Sequence, residues 1–328
     1  MTELERRAIC ALLFAAFLIS GSTAAQEVWK PTRSVTLIAP NAPGGNSDRL
    51  AREMQRLLQA HKLIDVPVVV VNRAGGSGTI ALNQLLTNPG DGHVLMIGTS
   101  SLLSNHITGL TQHHHSEFTT LALMLEDYFG VNVRAASPIQ SAREMLDRLK
   151  KSPDALALGT SSVAGGNFTS LVSGLKRGGV EVKRLKIVSF AGGGQSTMAL
   201  LGGHVDILST GLSNMAEHLH QGKMRLLVVS APRRRPGMFA GVPTWKEIGI
   251  DMTTSSWRTV MAPKELKPPQ IAYWENVFRR LVQTEDWKKE VADNHWENTY
   301  LPAAEARKRL DYEYAEMKAI LSDLGLAK

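Results

Sequence analysis

Four short glycine-bearing stretches carry the residue types that bind small anions. The first is Ala42-Pro43-Gly44-Gly45-Asn46-Ser47-Asp48, and the second is Ala74-Gly75-Gly76-Ser77-Gly78-Thr79. The third runs through Ala164-Gly165-Gly166-Asn167, and the fourth through Ala191-Gly192-Gly193-Gly194. Each follows an apolar run and precedes a segment of helical period. Strand, glycine turn and helix start together aim unpaired backbone N–H groups at one point, and a carboxylate is a natural guest there. Glycine allows the close approach and the positive φ that such a turn needs. Asn46 or Ser47 is placed to cap the first helix. Asp48 sits in its first turn, where negative charge is favoured. Thr99-Ser100-Ser101, after a further strand, extends the donor-rich rim.

Other chemistries are set aside on the same residues. Gly76-Ser77-Gly78-Thr79-Ile80-Ala81 satisfies G-x-G-x-x-A, a dinucleotide pattern. The acid that should end the next strand ~20 residues on is missing, because that strand runs into Gly98-Thr99-Ser100-Ser101. A nucleophile elbow G-x-S-x-G is absent, and His204, His218, His220 and His295 have no motif around them. An enzyme is therefore not expected. His113-His114-His115 invites a metal, but three consecutive side chains cannot all face one ion without an accommodating backbone. A solvated loop is expected there, with no metal and no cofactor anywhere.

The elements that must hold the turns alternate. Strands are expected at 35–39, 66–71, 94–98, 130–134, 155–159, 185–190, 205–209, 226–230 and 259–262. Helical stretches lie between them, and three more helices follow Pro268-Pro269. Several strands are continuous apolar runs, as when helices cover both sheet faces. The fold class is α/β, a two-domain clamshell with mostly parallel sheets flanked by helices. One half holds the first two glycine turns, the other the last two. Domain 1 is expected at residues 28–125 plus 256–328 and domain 2 at 126–255. The cleft between two such sheets is a usual ligand place.

The remaining signals concern location and charge. Residues 1–25 read as a signal peptide: Arg6-Arg7, a short apolar centre, then small residues ending Thr23-Ala24-Ala25. The apolar run is shorter than the ~20 residues of a spanning helix. The single cysteine, Cys10, lies inside that segment. Export without disulfides suits a periplasm. The net charge of +7 is scattered, with no basic stripe interleaved with aromatics, so anionic small molecules are favoured over nucleic acid.

The order and spacing of longer blocks are more specific. VTLIAPNAPGGNSDRLAR, VVVVNRAGGSGTIA, FAGGGQSTMALLGGHVDIL, VPTWKEIGID and SSWRTVMAP follow one another along the chain. Through them the sequence resembles the periplasmic solute-binding proteins of tripartite tricarboxylate transporters, also called the Bug family. The resemblance implies capture of a small carboxylate and delivery to membrane permease subunits, by a protein expected to be a monomer. A periplasmic sensor partner would look the same in sequence. The resemblance also implies a carboxylate clamp at residues 42–46 and 74–79. Second-domain contacts would come from Gly165, Gly166 and Asn167, with Gly192 and Gly193 nearby. Asp206, in Gly203-His204-Val205-Asp206, matches a family position. Departures stand at Asn41, Asn46, Ala74 and Ser77. Arg258 occupies a place where the family usually has glycine; an extra arginine near the cleft would suit an additional carboxylate or hydroxyl on the ligand.

Overall fold

Apolar runs followed by glycine turns become strand–helix units in the first and middle parts of the chain. A computed structural model describes residues 29–160, 163–190 and 193–328. The expected signal segment and Gly192 lie outside them. The first part contains β1 (Val35–Ala39), α1 (Asn46–Ala60), β2 (Val68–Asn72), α2 (Thr79–Leu86), β3 (Val94–Gly98) and α3 (Ser101–Ile107). A long strand, β4 (Thr119–Arg134), follows. The middle part contains α4 (Ala142–Lys151), β5 (Ala157–Thr160), α5 (Gly166–Arg177), β6 (Lys186–Ser189), α6 (Gly193–Leu201), β7 (Ile207–Gly211), α7 (Leu212–His220) and β8 (Met224–Val229). The chain then returns through β9 (Ser255–Ala262) to α8 (Pro268–Leu281), α9 (Glu285–Asp293), β10 (Leu301–Pro302) and α10 (Ala303–Asp323).

Strand order is β2-β1-β3-β9-β4-β7-β5-β6, with β8 and β10 also paired to β4. β1 is parallel to β2 and β3, and β5 is parallel to β6 and β7. Every pairing of β4 is antiparallel, and so is β3 with β9. The sheets are thus mixed, parallel at their outer strands and antiparallel around β4. The sequence reading recognised only the 130–134 end of β4, because Glu126 and Asp127 interrupt its apolar pattern. β4 pairs with β9 from Thr119↔Ala262 to Tyr128↔Ser255, then with β7 and β8 from Phe129 onward. β4 therefore runs through both sheets, with β9 as its partner in the first, where the two form an antiparallel ribbon.

Each sheet buries apolar side chains on both faces. α1 shows why: Leu50, Met54, Leu57 and Leu58 fall on one side at helical spacing and are buried against β1 and β2. Trp274 and Trp287 from α8 and α9 complete that layer. The second sheet is covered by Met145, Leu149, Phe168 and Leu171 on one side, and by Leu200, Leu212 and Met215 on the other. α10 serves both halves. Leu310, Met317 and Leu321 pack into the first half's core, while Ile320 packs into the second's.

Side chains on a strand alternate between faces, so the ribbon has two surfaces. Glu126, Tyr128, Ser255 and Trp257 face α10. Glu126 is 4% exposed. Its carboxylate accepts from Ser255 Oγ (2.7 Å), Arg309 Nη2 (3.0 Å), Tyr128 OH (3.0 Å) and Thr299 Oγ1 (3.3 Å). Arg309 also pairs with Glu313 at 2.7 Å, and Glu313 accepts from the Trp257 indole. Burial raises the Glu313 pKa against the pull of Arg309. On the other surface, Asp127 is 3% exposed. It accepts from Ser213 N (3.3 Å) and Ser213 Oγ (2.5 Å). Burial pushes its carboxyl up to about 6, and the Ser213 hydrogen bonds only partly oppose that.

Two outcomes are expected. Arg309→Met strands two buried carboxylates, and should lower unfolding free energy by about 3–5 kcal/mol in urea melts at pH 7.5. Asp127 works in the opposite sense. Its folded pKa is raised, so the fold binds the proton more tightly than the unfolded chain. The penalty is absent below about pH 4, grows to about pH 6 and is complete above it. Asp127→Asn should therefore stabilise the protein at pH 7.5, by on the order of 2–3 kcal/mol, with the gain vanishing toward pH 4. A gain that is flat with pH would contradict this.

Candidate functional site

The first glycine turn is built from inside. Gly44 has φ +83°, the left-handed region, and its N–H donates to Asp48 Oδ2 at 2.8 Å. Gly45 N donates to Ala42 O at 3.1 Å. α1 begins at Asn46, so Asn46 and Ser47 are helical residues rather than its cap. The capping acceptor is Asn41 instead, whose Oδ1 receives Asp48 N at 3.1 Å. Asp48 is 2% exposed and also accepts from Arg52 Nε (3.0 Å) and Asn72 Nδ2 (2.8 Å). Burial opposes its ionisation, but the bonds from Arg52, Gly44 and Asn72 win and hold it below the usual carboxylate range. Asp48 therefore shapes the turn and does not face the cleft. Pro43, Gly44 and Gly45 line neither cleft cavity. Of this turn's N–H groups, those of Asn46 and Ser47 make no hydrogen bond among the described residues.

The second turn is more strained. Gly75, Gly76, Ser77 and Gly78 take φ of +122°, +54°, +53° and +95° in succession. Ser77 is the costly member, since a side chain in that region is disfavoured by roughly 1–3 kcal/mol. Asn105 of α3 helps hold it, donating Nδ2 to Ser77 O at 3.1 Å. Thr79 Oγ1 donates to Gly76 O at 2.7 Å and so stays within its own turn. Gly75, Ser77 and Gly78 line the cleft, whereas Gly76 and Thr79 do not.

Two adjoining cavities fill the space between the halves. One, of about 440 Å³, lies over the first-half turns and is lined by Ala42, Ser47, Gly75, Ser77 and Gly78. The other, of about 390 Å³, reaches Gly165, Gly166, Asn167 and Gly193 across the cleft, with Asn46 opposite. Ser77, Ser100, Ser101, Ser256 and Arg258 line both. Asn167 is anchored by Nδ2 to Ser209 O at 2.9 Å. Gly166 sits where the halves meet: a Cβ there would lie 2.9 Å from Ser100 Oγ and 3.3 Å from Phe129 Cζ. Asp206 is elsewhere. It is exposed and ties β5 to β7, accepting Ala157 N at 2.8 Å.

The ribbon supplies the floor. Arg258, expected from the sequence, stands there with Asp127 and Ser256, which the sequence reading missed; among the described residues Asp127 and Arg258 are the charged ones lining the two cavities. Arg258 Nη1 donates to Ser256 Oγ (2.8 Å), Trp257 O (2.9 Å) and Ser256 O (3.3 Å). Asn105, Thr210 and Asn214 add polar groups to the walls. Their only sequence signal was position at or just beyond a strand end. A further cavity of about 310 Å³ lies across the ribbon between α5 and α10. Its charged groups are already paired, Arg177 with Glu316, Lys246 with Asp251 and Arg309 with Glu313. The cleft is the place where polar capacity is left over.

The histidine run is not the solvated loop expected. His115 has a side chain 2% exposed and bonds Asp311 of α10 at 2.7 Å. His114 packs between His106 and Tyr314, with ring centroids at 5.0 and 4.8 Å. Burial lowers the pKa of both His114 and His115. The run serves as packing for the end of α3 against α10.

Comparison with known proteins places this geometry in a family. The family model described as tripartite tricarboxylate transporter family receptor matches residues 50–326. A Cupriavidus necator protein, the UPF0065 protein in the gbd 5' region, is 26% identical over 327 residues, covering 99% of this chain and 98% of its own. Protein BugT of Bordetella pertussis is 27% identical over 267 residues, 77% of this chain and 78% of its own. Among solved structures, a TctC solute binding protein from Polaromonas superposes with TM-score 0.78 at 23% identity, over 90% of this chain and 99% of that one. An R. palustris protein solved with adipate gives 0.76 at 24% identity, again over 90% and 99%. MatC from Rhodopseudomonas palustris, with bound malate, gives 0.71 at 22% identity over 89% and 99%. These structural likenesses establish a shared fold, and the family match extends over most of the sequence. The chain belongs to the tripartite tricarboxylate transporter receptor family, the Bug family its glycine turns resemble.

Proposed function

We propose that this protein is a periplasmic solute receptor that captures a small carboxylate in the cleft and presents it to membrane permease subunits of a tripartite transporter. The observation that carries the reading is the convergence in one cleft of helix starts and glycine turns from both halves, with serine hydroxyls of the first half beside them. Backbone N–H groups fixed at such turns bind an anion without having to be reorganised on binding. Residues 1–25 act as the export signal, and the receptor works as a monomer.

In this reading the halves are domains, 28–125 plus 256–328 and 126–255, hinged where β4 and β9 pass between the sheets. The ligand's carboxylate sits against Asn46, Ser47 and the Gly75–Gly78 turn. Ser100 stands beside it, and Gly165, Gly166, Asn167 and Gly193 close over it from the other half. Closure brings Gly166 against Ser100, where a Cβ would make Ser100 turn its hydroxyl aside and a branched side chain would also press on Phe129.

The test is titration calorimetry across C3–C8 mono-, di- and tricarboxylates with the mature chain, including adipate and malate. At least one acid is expected to bind, with stabilisation rising with its concentration and no product formed. Absence of binding across the panel would overturn the reading. Gly166→Val should weaken the bound acid by about tenfold or more, a loss of about 1.4 kcal/mol, while leaving the unliganded melting temperature near wild type. Uptake of that acid by cells should require both this protein and the permease subunits.

A further inference from the structure

Arg258 is a cation with one edge spoken for and one edge open. Its Nη1 makes all three of the guanidinium's hydrogen bonds, to Ser256 and the Trp257 carbonyl. Nε and Nη2 make none among the described residues. No carboxylate among the described residues lies within ion-pair distance of it either. The neighbouring charge is Asp127, and both oxygens of Asp127 are already engaged by Ser213. An arginine cannot escape this by losing its proton. Arg258 is half-buried on the lining of both cavities, so its uncommitted donors are placed to take an anion from the cleft. The planar fork is matched to a carboxylate taken side-on through two N–H groups.

Position decides what such an anion would be. Arg258 lines both cavities, at the junction between the first-half turns and the second-half wall. The turns carry their own donors, the N–H groups of Asn46 and Ser47. A carboxylate held there leaves the arginine free. Resting on the carboxylate reading above, we propose that Arg258 reads a second anionic group on the same ligand, so that this receptor selects acids charged at both ends. Asp127, on the same floor, sets the strength of that selection by opposing any added negative charge.

Matched acids of equal length test this: glutarate against valerate, and adipate against hexanoate, each titrated into the full mature chain by calorimetry. Wild type is expected to prefer the diacid by more than tenfold. Arg258→Gln should cut that ratio about tenfold or more, the loss of a charge-assisted pair, while leaving the monoacid affinity within about twofold. Arg258→Lys should keep part of the ratio, since the charge remains and the fork is lost. Asp127→Asn should raise it, because an opposing charge is gone. A merely structural arginine would weaken both acids together or neither. Monoacid binding with a ratio that Arg258→Gln does not move overturns this proposal and leaves the carboxylate reading standing. Failure of every acid to bind wild type overturns both.

Discussion

The ribbon of β4 and β9 is the constraint on which the rest of the molecule hangs. β4 is the strand that pairs in both sheets, and over Leu125–Tyr128, beyond two irregularities in its pairing with β9, its side chains alternate between two surfaces. Glu126 and Asp127 are neighbours in sequence and meet opposite fates for that reason. Glu126 turns toward α10 and is saturated by four donors. Asp127 turns toward the cleft and has Ser213 for company. A one-residue slip of β9 would turn Arg258 toward α10, and one of β4 would turn Glu126 toward the cleft. The buried Arg309–Glu126–Glu313 set adds little stability in itself, since desolvation consumes much of the attraction. What it does is make the wrong register expensive.

The glycine turns follow a similar logic at smaller scale. The first turn spends most of its polar groups on itself: Gly44 N–H on Asp48, Gly45 N–H on Ala42, Asn41 on the helix N-terminus. What remains is a pair of N–H groups at the start of α1, with their direction fixed. The second turn achieves its shape through four successive positive φ values, one of them at a serine. Asn105 and Thr79 bond within that turn and hold the serine in place. In both, the residues that look most ligand-like by type, Asp48 and Thr79, are consumed in making the loop, and less conspicuous backbone is left facing the cleft.

That distinction marks how far the sequence can be read. Strand–turn–helix order was legible, because apolar runs, glycines and helical spacing are local signals. The α/β class followed from it, and so did the positions of the turns. The first half of β4 was hidden, because its identity as a strand comes from pairing with β9 more than a hundred residues away, and Glu126-Asp127 breaks its local pattern. Asp48 read as a ligand group because its type and place suit one; its contacts with Gly44 and Asn72 are tertiary. Asn41 and Asn46 read as specificity departures, yet Asn41 is the helix cap. Arg258 was visible as an oddity, but the open edge of its guanidinium depends on where Ser256 and Trp257 fold back beneath it. His115 shows the converse: a polar run that reads as loop is buried because α10, two hundred residues later, supplies Asp311.

α10 also bears on how the two halves can move. It is rooted in the first half by Leu310, Met317 and Leu321, and it reaches the second through Ile320 and through the pairs Lys176–Asp323 and Arg177–Glu316. Those two pairs are exposed, and each is worth about 0–1 kcal/mol. Ile320 adds about 1.5–3 kcal/mol if its side chain is wholly withdrawn from water on docking. Together they make a latch of a few kcal/mol on the side of the ribbon away from the cleft. The ribbon itself cannot part without breaking β4–β9 pairing and uncovering Glu126. In the receptor reading proposed above, opening the cleft would bend the ribbon and slide α5 along α10, and a latch this weak would let a ligand's contacts across the cleft tip the balance. A receptor that binds and releases its cargo needs that asymmetry, with a hinge too costly to break and a back contact cheap enough to shift.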